Sequence, residues 1–562
     1  MTRKMNRREA LALGTVSLAS LTLAAKAEGE MPAPIITAHD KALRSLLDRQ
    51  VKDATSRWCG GLPDASGLYH CGAAAHLLRD AAAAYFHPQS AFHASQDLFD
   101  RMKLAADFLA RFQNEDGNID LLSTNFNSPP DTGFVVHNMG TAARLASLHD
   151  DKAVLTLMED FLRRAGQGMA KGGIHTPNHR WVVSSALAQI HELFPDDRYV
   201  KRIDAWLAEG IDIDEEGQYT ERSTGGYNTV VDRAFVVMAH KLKRPELLEP
   251  VRKNLDAMAY LLHPNGEVVT EISHRQDSNT RATMRGYWFP LRYLAVRDGN
   301  GLYAAMLEPL EPENMQLAAL MEYPDLQKSL PPLTPIPEDY EKEYPRSGIT
   351  RIRRGRTSVT IIHKENSRWI SLRQGEAVIN AVRFASAFFG KGQFSPAVYE
   401  KRGGAFYFSQ ELKGWYYQPI TDTSLLPVQQ EKWSRSKIRR KPSELCELVY
   451  EGRIRETEQG FEVSIEAKGT ANVPLAVEIN LREGGELTGV SAVPRTSGAF
   501  LLKDGFAEYR MGPDVIRFGP GRSEHAYVAV RGAEAKLPGP SVYLTGYTPF
   551  QHTLVFQLGS PA

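Results

Sequence analysis

Leu330-Pro331-Pro332-Leu333-Thr334-Pro335-Ile336-Pro337 separates two kinds of sequence. Four prolines in eight residues remove helix donors and fix φ, so the stretch reads as an extended linker. Upstream, from about Thr37 to Tyr323, apolar residues recur at three- and four-residue spacing. That spacing predicts helices over 73–85, 91–112, 133–148, 152–165, 181–194, 230–242, 247–262 and 280–296. Short breaks divide them: Asn114-Glu-Asp-Gly117, Asn127-Ser-Pro-Pro130, Lys171-Gly-Gly173 and His263-Pro-Asn-Gly266. Helices joined in this way form a stack or ring of αα-hairpins, and no clean fixed-period repeat stands out. Downstream the runs are short and rich in β-branched and aromatic residues, as in Thr357-Ser-Val-Thr-Ile-Ile-His363, Ala405-Phe-Tyr-Phe408 and Phe461-Glu-Val-Ser-Ile-Glu466. Some 210 residues of this kind predict an antiparallel β-sandwich. The class is α+β multidomain. The expected divisions are 1–27, a helical domain over 28–328, a linker over 329–347 and the sandwich over 348–562.

The chain has 562 residues, 42% hydrophobic and 24% charged, which excludes a disordered or fibrous protein. Sixty-seven basic residues balance 67 acidic ones, so the excess of a nucleic-acid binder is absent. Residues 1–27 read as a signal peptide: Arg3, Lys4, Arg7 and Arg8 precede an apolar run, and Ala25-Lys-Ala27 is a small-residue cleavage site. Arg7-Arg8 marks it as a twin-arginine export signal, with an ordinary secretory signal as the alternative. Removing its five basic residues and one Glu leaves 62 basic and 66 acidic. No later run reaches the roughly 18 apolar residues of a membrane span. The expected location is periplasmic or secreted. Cys59, Cys71 and Cys446 cannot make a disulfide framework, although a Cys59–Cys71 bond stays open.

Polar and aromatic residues gather in the interhelical breaks of the first half. One group holds His137 and Asn138. A second runs from His175 through Asn178, His179, Arg180 and Trp181. A third holds Tyr219, Glu221, Ser223 and Tyr227. The last holds His274, Arg275, Asp277, Arg281, Arg285 and Trp288. Loops at one face of a helical ring converge. His and Tyr move protons, Asn and Arg stabilise anions, and aromatic rings stack on sugars. Phosphate-binding glycine loops and serine elbows are missing. Such a set suits β-elimination at a uronate, where the carboxylate must be neutralised while the C5 proton leaves.

Asn178-His179, followed some fifty residues later by Glu221-Arg-Ser and Tyr227, resembles the heparinase II/III and alginate-lyase superfamily. The resemblance implies an incomplete (α/α) toroid of helical hairpins followed by an antiparallel β-sandwich. It implies Asn178 as carboxylate neutraliser, His179 as base and Tyr227 as acid or second base. It also implies a closing residue from the sandwich, for which His363, Tyr399 and Tyr407 are candidates. Some relatives hold a structural metal in the sandwich. This sequence has no local signature for one, no cofactor is expected, and a divalent ion there stays open.

The expected substrate contacts are His137, Asn138, Arg180, Trp181, Tyr219, Glu221, Arg233, Arg281, Arg285 and Trp288. Several also have a plain structural reading: a helix cap for His137-Asn138, core packing for Tyr219, and a salt-bridged surface for Arg281, Arg285 and Trp288, which share one face if 280–296 is helical. The partner expected is an acidic polysaccharide or oligosaccharide. Two alternatives remain: a glycoside hydrolase using Glu221 with Asp232 or Asp277, and a glycan-binding protein without activity.

Overall fold

A computed structural model describes residues 32–311, 315–363, 366–422 and 432–559. The signal peptide expected at 1–27 lies outside these residues. Two compact units divide the chain: 1–259 with 273–336, and 260–272 with 337–562.

Ten of the helices among the described residues of the first unit alternate in character. α1 (Ala33–Arg49), α3 (Gln96–Arg111), α5 (Lys152–Lys171), α7 (Asp197–Ala208) and α9 (Glu249–Met258) each bury one stripe. α2 (Cys71–Phe86), α4 (Pro129–Leu148), α6 (Pro177–Leu193), α8 (Tyr227–Lys241) and α10 (Trp288–Asp298) are buried nearly all round. In α6 every residue from Asn178 to Ile190 is buried. A one-sided helix faces water, and an all-round apolar helix sits inside. The even helices pack in succession, α2 on α4, α4 on α6, α6 on α8 and α8 on α10, as an inner layer behind the odd ones. Gly133 and Gly140 let α4 approach α6: an added Cβ would lie 2.9 Å from Val182 and 3.3 Å from Gln189.

Several expected boundaries move. The prolines of 127–130 open α4 rather than precede it, since proline suits the first helical turn. The segment 280–296 is helical only from the 3-10 turn Met284–Tyr287 onward. Residues 260–272 group with the second unit, not with the helices on either side of them.

A turn repeats along the hairpins. At Asp64, Asn114, Asp214 and His263 the backbone N–H donates to the carbonyl four residues on, at 2.7–3.0 Å. Gly67, Gly117, Gly217 and Gly266 close these turns with φ of 78–93°. Their positions keep a fifty-residue interval, with one copy missing between α5 and α6. There the chain runs instead through Gly172, Gly173 and His175 into Asn178-His179.

The second unit holds an eight-stranded and a ten-stranded sheet, antiparallel except where Ala499–Leu501 pairs with Ser541–Tyr547. Alternating residues of both sheets form one core around Trp369, Phe384, Phe394, Phe408 and Tyr450. Within the stretch expected to be linker, Asp339–Tyr344 is a strand paired with Ile349–Arg354. The inserted turn 260–272 is clasped to the ten-stranded sheet: Glu267 accepts from Arg373 and, at 2.7 and 3.0 Å, from Arg482.

Candidate active site

α6 starts at Pro177, with Thr176 as its extended cap. This places Asn178 and His179 in the first turn, beside the loop that leads into α8. The Asn178 amide nitrogen donates to both oxygens of Glu221, at 2.8 and 2.9 Å, and to Thr176 Oγ1 at 3.2 Å. Its Oδ1 is buried without a partner. Arg275 Nε lies 3.7 Å from Glu221 Oε2, and its guanidinium lies 4.9 Å from the centre of the Tyr227 ring. Asn178, Glu221, Arg275 and Tyr227 therefore form one connected chain of side chains.

Tyr227 is the first residue of α8 and half-buried. Its N–H donates to Ser223 Oγ at 2.9 Å, and that hydroxyl donates to Asp277 Oδ1 at 2.8 Å. Asp277 also accepts from Ser273 Oγ and from the N–H of Gly225. The loop before the tyrosine is thus pinned by one carboxylate.

His179 stands edge-on to His175, with ring centres 4.7 Å apart. Burial pushes its pKa down to about 4, helped by the neighbouring His175 and the Arg275 guanidinium and opposed by Asp131. The ring is neutral at neutral pH and able to accept a proton.

Comparison by sequence finds no matching family profile and no matching curated protein. Comparison by structure does find similar folds. Chondroitin AC lyase from Streptomyces coelicolor A3 aligns with a TM-score of 0.57 and 13% identity, over 96% of this chain and 80% of that one. A Paenibacillus xanthan lyase aligns at 0.56 and 10% identity, over 95% of this chain but only 56% of the larger enzyme. Heparan sulfate lyase from Pedobacter heparinus aligns at 0.49 and 10%, over 99% and 91%. The chain shares its fold with the first two of these lyases.

Within this fold most of the other expected contacts have structural partners. His137 lies in the third turn of α4, not at a helix start. It bonds Ser185 Oγ at 2.6 Å, and burial beside Arg233 pushes its pKa down to about 3. Asn138 Oδ1 accepts from Arg79 at 2.8 Å. Arg180 and Trp181 share Asp212 Oδ1, at 2.9 and 2.8 Å. Tyr219 is buried and donates to Asp232 at 2.8 Å. Burial also raises the Asp232 carboxyl well above its usual range. Trp288 is fully buried and donates to Glu311 at 2.9 Å. The Arg233 guanidinium sits 5.7 Å from the centre of the Phe289 ring, and burial lowers its pKa. Arg281 and Arg285 are exposed in the non-helical lead and the 3-10 turn before α10, so they share no α-helical face with Trp288.

In the second unit, His363 stacks on Tyr399 with ring centres 3.9 Å apart, and its Nε2 lies 2.8 Å from Thr350 Oγ1. Burial pushes its pKa down to about 4. Tyr407 lies under Arg402 at 4.2 Å. Among the described residues, no three His, Cys, Asp or Glu cluster to hold a metal, and no helix is long and apolar enough to cross a membrane. Cys59 and Cys71 are both free.

Proposed function

We propose that this protein is an exported polysaccharide lyase that cleaves an acidic glycan next to a uronic acid by β-elimination. The reading is carried by one arrangement: a histidine kept neutral by burial, beside an Asn178–Glu221–Arg275 chain that ends on Tyr227. His179 takes the C5 proton. The electron pair forms the C4–C5 double bond, the glycosidic C4–O bond breaks, and Tyr227 supplies the proton that the leaving oxygen needs. Arg275 pairs with the substrate carboxylate. Both N–H bonds of Asn178 are spent on Glu221 and Thr176, so Asn178 acts by holding Glu221, and through it Arg275. Removal of residues 1–27 after twin-arginine export completes the proposal.

A hydrolase needs two carboxylates free to act as acid and as base or nucleophile. Glu221 is held by Asn178, Asp232 by Tyr219, and Asp277 by Ser223, Ser273 and Gly225. That commitment favours elimination. The test is a panel of chondroitin sulfate, hyaluronan, heparan sulfate, alginate and xanthan, read by ultraviolet absorbance and product mass. An absorbing, unsaturated product is expected from at least one. New reducing ends without absorbance would mean hydrolysis. No cleavage of any would leave a glycan-binding protein.

A further inference from the structure

Residues 432–441 read Lys-Trp-Ser-Arg-Ser-Lys-Ile-Arg-Arg-Lys, six cations in ten residues, with Glu431 directly before them and Glu444 the next acidic residue after them. The segment folds as the turns Trp433–Ser436 and Lys437–Arg439 ahead of the strand Pro442–Thr457. It carries unusual apolar exposure: Ile438 is 80% exposed and Trp433 57%, with Tyr416 at 62% on the strand paired to Pro442–Thr457. The aromatic rings connect. Tyr417 lies 5.9 Å from Trp433 and 6.4 Å from Trp415, centre to centre. Cations sit on these rings, with Arg440 4.9 Å from the centre of Trp433 and Lys391 5.3 Å from that of Trp415.

Two costs coincide here. Like charges repel, and large apolar side chains face water. A single ligand that relieves both has repeated negative charge and flat apolar faces. Sugar rings stack on exposed aromatic faces, and carboxylate or sulfate groups pair with guanidinium and ammonium. A lipid-binding element separates its charges from its apolar face. Here cations and rings are interleaved, matching a chain in which sugar faces alternate with acidic groups. We propose that the Lys432–Lys441 patch is a second, non-catalytic docking site for an acidic polysaccharide. The identity of that ligand rests on the lyase reading above.

The test uses the full mature chain in native gels containing alginate, chondroitin sulfate or neutral hydroxyethylcellulose, and in flotation with phosphatidylglycerol–phosphatidylcholine vesicles. Retardation by an acidic polysaccharide alone is expected. The charge-reversed variant K432E/R435E/K437E should weaken it about tenfold or more, with a smaller loss in Trp433→Ala. Ultraviolet turnover of a short oligosaccharide should not change. Retardation equal to the parent's in both variants overturns the site. So does binding to vesicles without binding to polysaccharide, or no binding to either. Retardation lost in the variants without any lyase product supports the patch and removes the lyase reading. Lyase product with unaltered retardation removes the patch alone.

Discussion

Arg275 is the residue on which the candidate site turns. Its Nε reaches toward Glu221, its guanidinium sits over the Tyr227 ring, and it adds positive charge near His179. A guanidinium over an aromatic face fixes the ring as well as attracting it. The phenol so placed has one use that packing does not need, its proton. Tyr227→Phe keeps ring and cation contact, so the melting temperature should hold while turnover falls by about 10²–10⁴. Full turnover in that variant would take Tyr227 out of the mechanism. His179 makes a separate claim. Its ordinary pKa is about 6.5, and burial moves it to about 4. A base must be neutral, so the acidic limb of kcat/KM should fall near pH 4. A limb at the ordinary histidine value that vanishes in His179→Gln would show a hydrated site instead. These residues were legible because a local motif carries them. The contact of Arg275 with Glu221 and Tyr227 was not, since it depends on a loop that only the fold brings back to Glu221.

Helices and turns set what those side chains can reach. Gly217 closes the turn between α7 and α8 at φ 79°, and an added Cβ would lie 2.3 Å from the Lys253 carbonyl and 2.9 Å from Ala257 on α9. Gly210, in the same connection, has φ 86° with nothing within 4 Å of such a Cβ. Both alanine variants bear the left-handed penalty of about 1–2 kcal/mol. Gly217→Ala adds overpacking of about 1–3 kcal/mol. Urea denaturation should therefore rank Gly217→Ala clearly below Gly210→Ala, and equal losses would mean that the turn does not bear on α9. The fifty-residue repeat of this turn is present in the sequence but hidden there. Its copies share little beyond the glycine, reading Asp64-Ala-Ser-Gly67, Asn114-Glu-Asp-Gly117, Asp214-Glu-Glu-Gly217 and His263-Pro-Asn-Gly266, and one copy is absent. The helical half and the strand half were clear from periodicity. What periodicity could not supply was the inner-layer burial of α6, α8 and α10. That burial turns Trp181 and Trp288 from expected sugar platforms into core residues with bonded indoles.

At the scale of the whole chain, equal totals of acid and base conceal where charge is allowed to exist. Six cations crowd into residues 432–441, while several histidines are kept uncharged inside. His137 is pushed down to about 3, and His179 and His363 to about 4, each mainly by burial. An unfolded chain protonates these rings near their ordinary 6.5, whereas the folded chain does not. Between about pH 6.5 and 4 the unfolded state binds more protons, so stability must fall as pH falls. Asp232, raised by burial, opposes this by one proton. Glu267 acts lower down. Its pKa is held at about 2, chiefly by Arg482 and Arg373 against the cost of burial, so its contribution is present above about 4.5 and lost as pH falls toward 2. His263, also buried, is held well below its ordinary value, so four protons against one give a net slope of about 4 kcal/mol per pH unit where the histidines titrate. That is large beside a total stability of about 5–15 kcal/mol. Urea unfolding at stepped pH should show the loss beginning near 6.5, well above the range where carboxylates titrate. His137→Gln keeps a hydrogen-bonding group for Ser185 but cannot titrate, so it should flatten the slope by one proton. Stability that holds constant from neutral pH down to about 5 would mean that these rings are hydrated and charged in the folded chain. A neutral His179 would then no longer be available to the proposed reaction.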